Sequence, residues 1–412
     1  MTQAAALKAG SLSAGRNPGA DHVALRESAG GRSGLRLLAV SPHLQSFVRD
    51  QLDTFLPEAE RVEAMVLRPN LSLFDRHRTS VIGRGRDLAI ARSVYRSPLL
   101  SVRWPRPAYR YCRAVSEIRR AIQKMRATII HAHFLYPAGV TAAKAARDLR
   151  VPCVATGHGF DVYNLPFRNQ AWRDEILACA RACAAIVAVS KANADCLVQI
   201  GVPESSIRVI PNGYDPSIFH PGDRAEARSR LGLPIDGKIL LSVGHLVSVK
   251  GFDMILSAVS KVSNPVWLVI AGRGPQYRAL VSLAEKLGLR GRVRFVGEIP
   301  HTLVAEYIRA ADVLVIGSRS EGNPTVLVEA LGCGRPVVAT RVGGIPEVLT
   351  SETGILTTPG DIQGLAEGVE QALTRPWSQE SLLTTAAQYQ WQRLGKRVLN
   401  VYTEAMETGA AT

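Results

Sequence analysis

The sequence predicts an α/β protein built as two doubly wound parallel-sheet domains that face a cleft. Three observations carry this reading. Short apolar runs alternate with stretches of helical spacing, the pattern of parallel strands covered by helices. The alternation breaks at the turn-rich segment "PNGYDPSIFHPGD" (211–223) and then restarts. The length of 412 residues, 46% hydrophobic and 21% charged, suits two soluble domains better than one.

The elements follow in order. "LRLLAV" (35–40) is a buried strand, 44–56 a helix and "RVEAMVL" (61–67) a strand. A long loop then leads to a helix over 109–126 and the strand "ATIIHAH" (127–133). The next helix, 137–149, opens on Pro137, a first-turn residue. "VPCVAT" (151–156) and "AAIVAVS" (184–190) complete the first set of strands. After the linker come strands at 238–244, 266–272, 292–297, 312–318 and 336–340. Helices fall at 252–262, 276–288, 302–311 and 324–332. The division is a disordered extension (1–34), a first domain (35–215), a second domain (216–380) and a helical C-terminus with a short tail (381–412) that packs across both.

The extension, rich in Ala, Gly, Ser and Arg, lacks the apolar core of a secretory signal. No apolar run reaches the roughly 18 residues of a membrane span. Six cysteines in this length read as buried reduced thiols. Cys179 and Cys183, four apart on a helix with no further cluster nearby in sequence, do not make a zinc site.

Ligands of doubly wound sheets bind beyond the carboxyl ends of the strands. After the strand at 312–318 comes "SEGNPTVLVEALGCGRPVVAT" (320–340). Asn323 is expected to cap the helix and Pro324 to start it, so that the free N–H groups of Gly322 to Val326, Thr325 among them, form an anion site. Glu321 and Glu329 beside such a site make sense if the ligand also carries hydroxyls, since a carboxylate accepts two hydrogen bonds from a vicinal diol. His245 and Lys250 flank the loop after 238–244, where a lysine ahead of a helix clamps phosphate. Arg273 lies in the tight turn after 266–272. The segment around Val296 leads into "EIP" (298–300), a loop able to hold a base by its backbone. Gly343 and Gly344 permit close backbone approach. In the first domain, His158 and Asp161 follow the strand at 151–156. There is no D-x-D pair to hold a divalent metal between phosphates, so none is expected.

These segments resemble glycosyltransferase family 4. "SEGNPTVLVEALGCGRPVVATRVGGIPEVL" resembles its E-x(7)-E signature, "SVGHLVSVKGFD" its phosphate loop, "IPNGYDPSIFHP" its linker, and "HAHFLYPAG" with "TGHGFD" its first-domain motifs. The resemblance covers roughly 35–407. It implies the GT-B arrangement of two Rossmann-like domains and a retaining transfer from a nucleotide-sugar, UDP- or GDP-linked, without a cofactor. It implies catalytic roles for Glu321 on the sugar hydroxyls, His158 across the cleft and Lys250 on the diphosphate. Donor binding falls to Glu329 on the ribose and to Gly322, Asn323, Pro324, Thr325, His245, Arg273 and Val296. Two departures stand out: His245 replaces a common arginine, and the first strand ends in "SPHLQS" rather than a glycine-rich loop.

The net charge of +15 calls for a polyanionic partner. Residues 76–126 hold fourteen basic side chains against Asp87 and Glu117, a net +12, interleaved with Trp104, Tyr109 and Tyr111. That stretch suits an anionic membrane surface. The expectation is therefore a peripheral enzyme on the cytoplasmic face of the cell membrane, using a lipid-linked glycan acceptor in polysaccharide biosynthesis. A nucleotide-sugar epimerase of the same fold is the alternative. A basic nucleic-acid-binding protein is the third class, raised by charge alone. Paired glutamates in the cleft, which repel a phosphate backbone, and the lack of a recognised binding module speak against it, so no nucleic-acid partner is expected.

Overall fold

The computed structural model of the chain describes residues 34–42, 46–55, 57–69, 88–95, 112–263 and 265–410. Residues 1–33 of the expected extension, and most of the basic stretch 76–126, lie outside the described residues. Two parallel sheets form. The first contains β1 (Arg36–Ser41), β2 (Arg61–Pro69), β3 (Leu88–Tyr95), β4 (Ile129–His133), β5 (Cys153–Gly157), β6 (Ala185–Ala188) and β7 (Ile207–Val209), in the order β3-β2-β1-β4-β5-β6-β7. The second contains β8 (Lys238–Val243), β9 (Val266–Ala271), β10 (Val293–Gly297), β11 (Val313–Ile316), β12 (Val337–Thr340) and β13 (Gly354–Thr357), in the order β10-β9-β8-β11-β12-β13.

The strand order reverses between β1 and β4 in the first sheet and between β8 and β11 in the second. At these points adjacent loops diverge to opposite faces and leave a crevice. Interior strands are buried along their whole length, as in β4, β5, β11 and β12, which explains their unbroken apolar sequences.

Three strands were not expected: β3, β7 and β13. All three are sheet edges. Edge strands carry charges or stay short, so they lack the apolar run that marks an interior strand. β3 lies within the expected long loop and carries Arg92, and β7 has three residues. The helix expected from Pro137 begins at Val140, because residues 135–139 form one wide turn first. The C-terminal helical stretch splits in two, Gln379–Ala387 and Trp391–Ala410.

That split serves the architecture. Leu382 and Ala386 of the first piece pack into the second domain's core. Trp391, Leu394, Val398, Val401, Tyr402 and Ala405, one stripe of the second piece, close the first domain's core over Leu37, Leu52 and Ile129. The turn between them pairs with the linker: Tyr214 N donates to Tyr389 O at 3.0 Å and Trp391 N to Tyr214 O at 3.1 Å. Two crossings of the domain boundary thus run side by side.

Tyr402 is fully buried, and its hydroxyl sits 2.5 Å from His131 Nδ1 on β4. Tyr402→Phe keeps the ring and removes that partner from a buried imidazole, at a cost of about 1–3 kcal/mol. A lower urea midpoint with unchanged far-ultraviolet circular dichroism is expected. An unchanged midpoint would show that the contact does not anchor the last helix.

Candidate active site

The loops after β8 and β11 meet at the second sheet's switch point. Lys250 ends a short turn (Ser248–Lys250) after β8 and donates to both oxygens of Glu321, at 2.8 Å each. Ser318, just beyond β11, donates its hydroxyl to Glu321 Oε1 at 2.6 Å. Glu321 is only 6% exposed, so the lysine and the serine are what make a buried carboxylate tolerable there. Gly343, after β12, closes the floor. Its φ is +52°, and a Cβ there would collide with the Glu321 carbonyl oxygen. Gly344 N donates to Gly322 O at 2.8 Å. The expected close approach of Gly343 and Gly344 is therefore directed at the Glu321–Gly322 backbone.

The helix after this loop runs Thr325–Gly332, with Pro324 in the cap position. This shifts the expected start by one residue. Asn323 is not the cap: its side-chain oxygen caps nothing and is buried without a partner. Its carbonyl instead receives Asn212 Nδ2 of the interdomain linker at 3.0 Å. With proline at the cap no side chain satisfies the first N–H groups of the helix. Thr325 is partly buried at the helix start. Glu329, 4% exposed, accepts from His301 Nε2 at 3.0 Å.

The first domain supplies the opposite wall. His158 follows β5, partly buried, with Nε2 3.2 Å from His133 Nδ1. The His133 ring in turn lies 4.3 Å from His131, centroid to centroid, tilted by 30°. Burial, and then the neighbouring His133, hold the His158 pKa well below the ordinary imidazole range. Burial alone brings His133 to about 3. These imidazoles are neutral hydrogen-bonding groups at pH 7. Asp161 is buried and engaged by the backbone. It accepts from the backbone N–H groups of Leu135 (2.7 Å), Gly159 (2.9 Å) and His158 (3.2 Å), and so shapes the loop that presents His158.

The two walls touch at backbone level. A Cβ on Gly322 would collide with the His158 carbonyl oxygen. Glu347 reaches across to cap the helix Lys191–Ile200, accepting from Lys191 N at 2.8 Å and Ala192 N at 3.0 Å. Asp50, on the helix Ser46–Phe55, lies 3.8 Å from His301 Nδ1, so Asp50, His301 and Glu329 form a chain across the cleft.

Of the sequence candidates, Lys250, Glu321, Gly322, Asn323, Pro324 and His158 come together here, with Glu329 further along the helix. His245 is exposed in the loop after β8. Arg273 is also exposed and pairs with Glu298 at 3.0 Å, outside the Lys250–Glu321 cluster. Val296 lies partly buried on β10, packed on the core. Asp50, His133, His301 and Glu347 were not singled out. His133 stood inside a quoted motif, but Asp50 and His301 gain meaning only when the domains meet. The cysteines also differ from expectation in one respect. Cys153 on β5 brings its thiol within 3.8 Å of Cys183, a neighbour that sequence spacing did not reveal. The described cysteines are free thiols, and no metal-holding group occurs among the described residues.

Burial, partly offset by His301, raises the Asp50 pKa from 3.8 to about 7. A raised folded-state value means that protonation favours the fold. Its contribution is full below pH 3.8 and is lost as pH rises to about 7. Asp50→Asn should therefore gain stability over wild type progressively across that window and gain no more above it. Denaturation midpoints below, within and above the window check this, and a pH-independent difference would sink it.

Residues 223–389 match the family described as glycosyl transferases group 1, and residues 72–218 match glycosyltransferase family 4. The chain is 31% identical over 286 residues to TuaC of Bacillus subtilis, a glycosyltransferase named for teichuronic acid biosynthesis, covering 69% of this chain and 71% of that protein. It is 32% identical over 305 residues to a D-inositol 3-phosphate glycosyltransferase of Acidothermus cellulolyticus, covering 68% and 67%. Among solved structures, sucrose-phosphate synthase from Thermosynechococcus elongatus superposes with a TM-score of 0.75 at 23% identity, covering 92% of this chain and all of that one. Anabaena HepE, solved with UDP-glucose, gives 0.69 at 21%, with the same coverage. At such identities the structural likeness shows the fold, and the sequence matches show the family. The chain is a glycosyltransferase of family 4 with the GT-B fold.

Proposed function

We propose that this enzyme transfers a sugar from a UDP- or GDP-linked donor, with retention of anomeric configuration, to a lipid-linked glycan in polysaccharide assembly. The observation that carries the donor side is the Lys250–Glu321–Ser318 cluster at the switch point, with buried Glu329 further along the same helix. Structures similar in fold hold UDP or UDP-glucose, which supports a nucleotide-sugar as the donor.

In this reading Glu329 accepts hydrogen bonds from the ribose diol. Lys250 turns from Glu321 to the diphosphate, and Glu321 then accepts from the sugar hydroxyls. The N–H groups of Gly322, Asn323 and Thr325 and the helix dipole meet further negative charge, while Pro324 borders the same loop. His245 contacts phosphate, while Arg273 and Val296 border the base. His158, kept neutral, hydrogen-bonds the sugar without adding charge. The bond from the anomeric carbon to the phosphate oxygen breaks. The acceptor oxygen bonds to that carbon on the same face, and its proton passes to the leaving diphosphate. The protein's part is orientation and charge stabilisation. No divalent metal is required in this scheme, so activity should survive a chelator. Loss of activity in the chelator with recovery on Mg²⁺ or Mn²⁺ would contradict it.

The basic stretch supports an anionic bilayer as the working surface, and the relative named for teichuronic acid biosynthesis supports a polymer product. No helix among the described residues is long and apolar enough to cross a membrane, so attachment would be peripheral, on the cytoplasmic face. The inositol-phosphate glycosyltransferases among the relatives favour a second reading, a phosphorylated polyol as acceptor. Radiolabelled sugar recovered in lipid extract, rather than in the aqueous phase, separates the two.

Glu329→Ala should weaken binding of the nucleoside diphosphate by roughly 1.5–3 kcal/mol. Glu321→Ala should abolish turnover with little change in that affinity. Calorimetry beside a turnover assay tests both assignments. Wild-type affinity in the first variant, or affinity collapsing with rate in the second, would reverse the roles of the two glutamates.

A further inference from the structure

At the amino ends of the second sheet's strands, opposite to Lys250 and Glu321, lies a cavity of 280 Å³. Lys238 begins β8, Asp312 precedes β11 and Arg335 precedes β12; Arg224 and Arg375 come from flanking helix ends. Four cations therefore face one carboxylate. Asp312 is already committed. It accepts from Arg224 at 2.6 Å, from the buried Arg228 at 2.7 Å and from Ile239 N at 2.7 Å, with Lys238 at 4.0 Å.

Arg335 and Arg375 have no carboxylate partner among the described residues. Arg335 spends one nitrogen on Arg309 O at 2.7 Å, and its Nε is buried without any partner. The Arg375 guanidinium carbon sits over the Trp377 ring, 4.5 Å from its centroid. A guanidinium held over an aromatic ring is restrained in position, and its N–H donors suit a tetrahedral oxyanion. Burial, and then the nearby Arg224, push Arg335 down to about 10, as expected of a cation that lacks its counter-charge.

We infer that this cavity binds a phosphate group, free or as part of a small phosphorylated solute. The volume is close to the lower limit of about 300 Å³ for small-ligand pockets, enough for a phosphate with a small organic part. A lone chloride would leave most of it empty. Four cations against one carboxylate leave a net +3, more than enough to meet a dianion. The site lies at the opposite end of the sheet from the donor loops, so it does not depend on the reaction assigned to them. A headgroup phosphate at a membrane surface offers the same chemistry as a free one, and the test separates these sources.

The exposed pair Lys238 and Arg375 allows a variant with little risk to the fold, Lys238→Gln with Arg375→Gln. Because phosphate can also reach the donor site, calorimetric titration with inorganic phosphate is run on the full chain in a Lys250→Gln background. Binding there, weakened roughly tenfold or more by the double change, is expected. Arg335→Gln, with its melting temperature recorded, should abolish it. In a second arm the same proteins are sedimented with phosphatidylglycerol and phosphatidylcholine vesicles. Capture by the first lipid alone, lost in the double variant, assigns the phosphate to a headgroup; no capture assigns it to a free solute. If the double variant binds inorganic phosphate and vesicles as its parent does, the inference is overturned.

Discussion

The cleft depends on one buried carboxylate. Glu321 sits almost out of water in a loop, where an uncompensated charge would cost several kcal/mol. Lys250 and Ser318 supply the compensation, and each comes from a different place in the chain. The ion pair therefore does more than neutralise. It ties the loop after β8 to the loop after β11 across the switch point. Thr340 extends the tie to β12 by donating to Ser318 O at 2.5 Å. Three consecutive strand ends are thus fixed around the same few atoms before any ligand arrives. In the proposed reaction, ligand contacts exchange for this pair, and the lysine that meets the incoming diphosphate is already in place. That is how preorganised polar groups avoid reorganisation at the moment of reaction.

Once the loop is fixed, it becomes the surface against which the first domain is set. Gly322 meets the His158 backbone, Asn212 holds the Asn323 carbonyl, and Glu347 caps a helix of the opposite domain. Most of these contacts are to backbone atoms, which define position without demanding particular neighbours. The paired crossings at Tyr214 and Tyr389–Trp391 restrict the hinge to a narrow strip. The donor loop is consequently read from two sides, and a side chain at residue 322 would part the domains at that point.

The sequence was most legible where a single local signal decides the structure. Interior strands such as β4, β5 and β11 are buried on both faces, so their apolar runs reveal them. The edge strands β3, β7 and β13 are stabilised by one neighbour only, and their sequences carry no such run. At the candidate site, the positions of Lys250, Glu321 and His158 were legible because each lies in a loop after a strand. The way they combine was less so. Nothing in the spacing of residues 250 and 321 says that one neutralises the other. Asp50 and His301 sit on helices 251 residues apart, and only domain contact brings them within 3.8 Å. Asp161 was placed beside His158 by sequence, and its hydrogen bonds to Leu135, His158 and Gly159 are to backbone N–H groups, a role that spacing alone does not reveal.

The electrostatics of the second sheet is divided between its two ends. At the carboxyl end, Glu321 and Glu329 bring negative charge to a site proposed to hold a diphosphate, and their partners are Lys250 and His301. The histidines of the facing wall are kept neutral by burial and add no positive field. In the proposed reading, phosphate at that end is met by Lys250, by His245 and by backbone N–H groups at a helix start, with no arginine among the described partners of Glu321. At the amino end the balance reverses, with a cationic surplus and no chemistry to perform. A sheet that places weak, oriented charge where bonds change and strong, fixed charge at the far end can tolerate a tightly held anion in only one of the two positions. At the carboxyl end such an anion would be unreleased product.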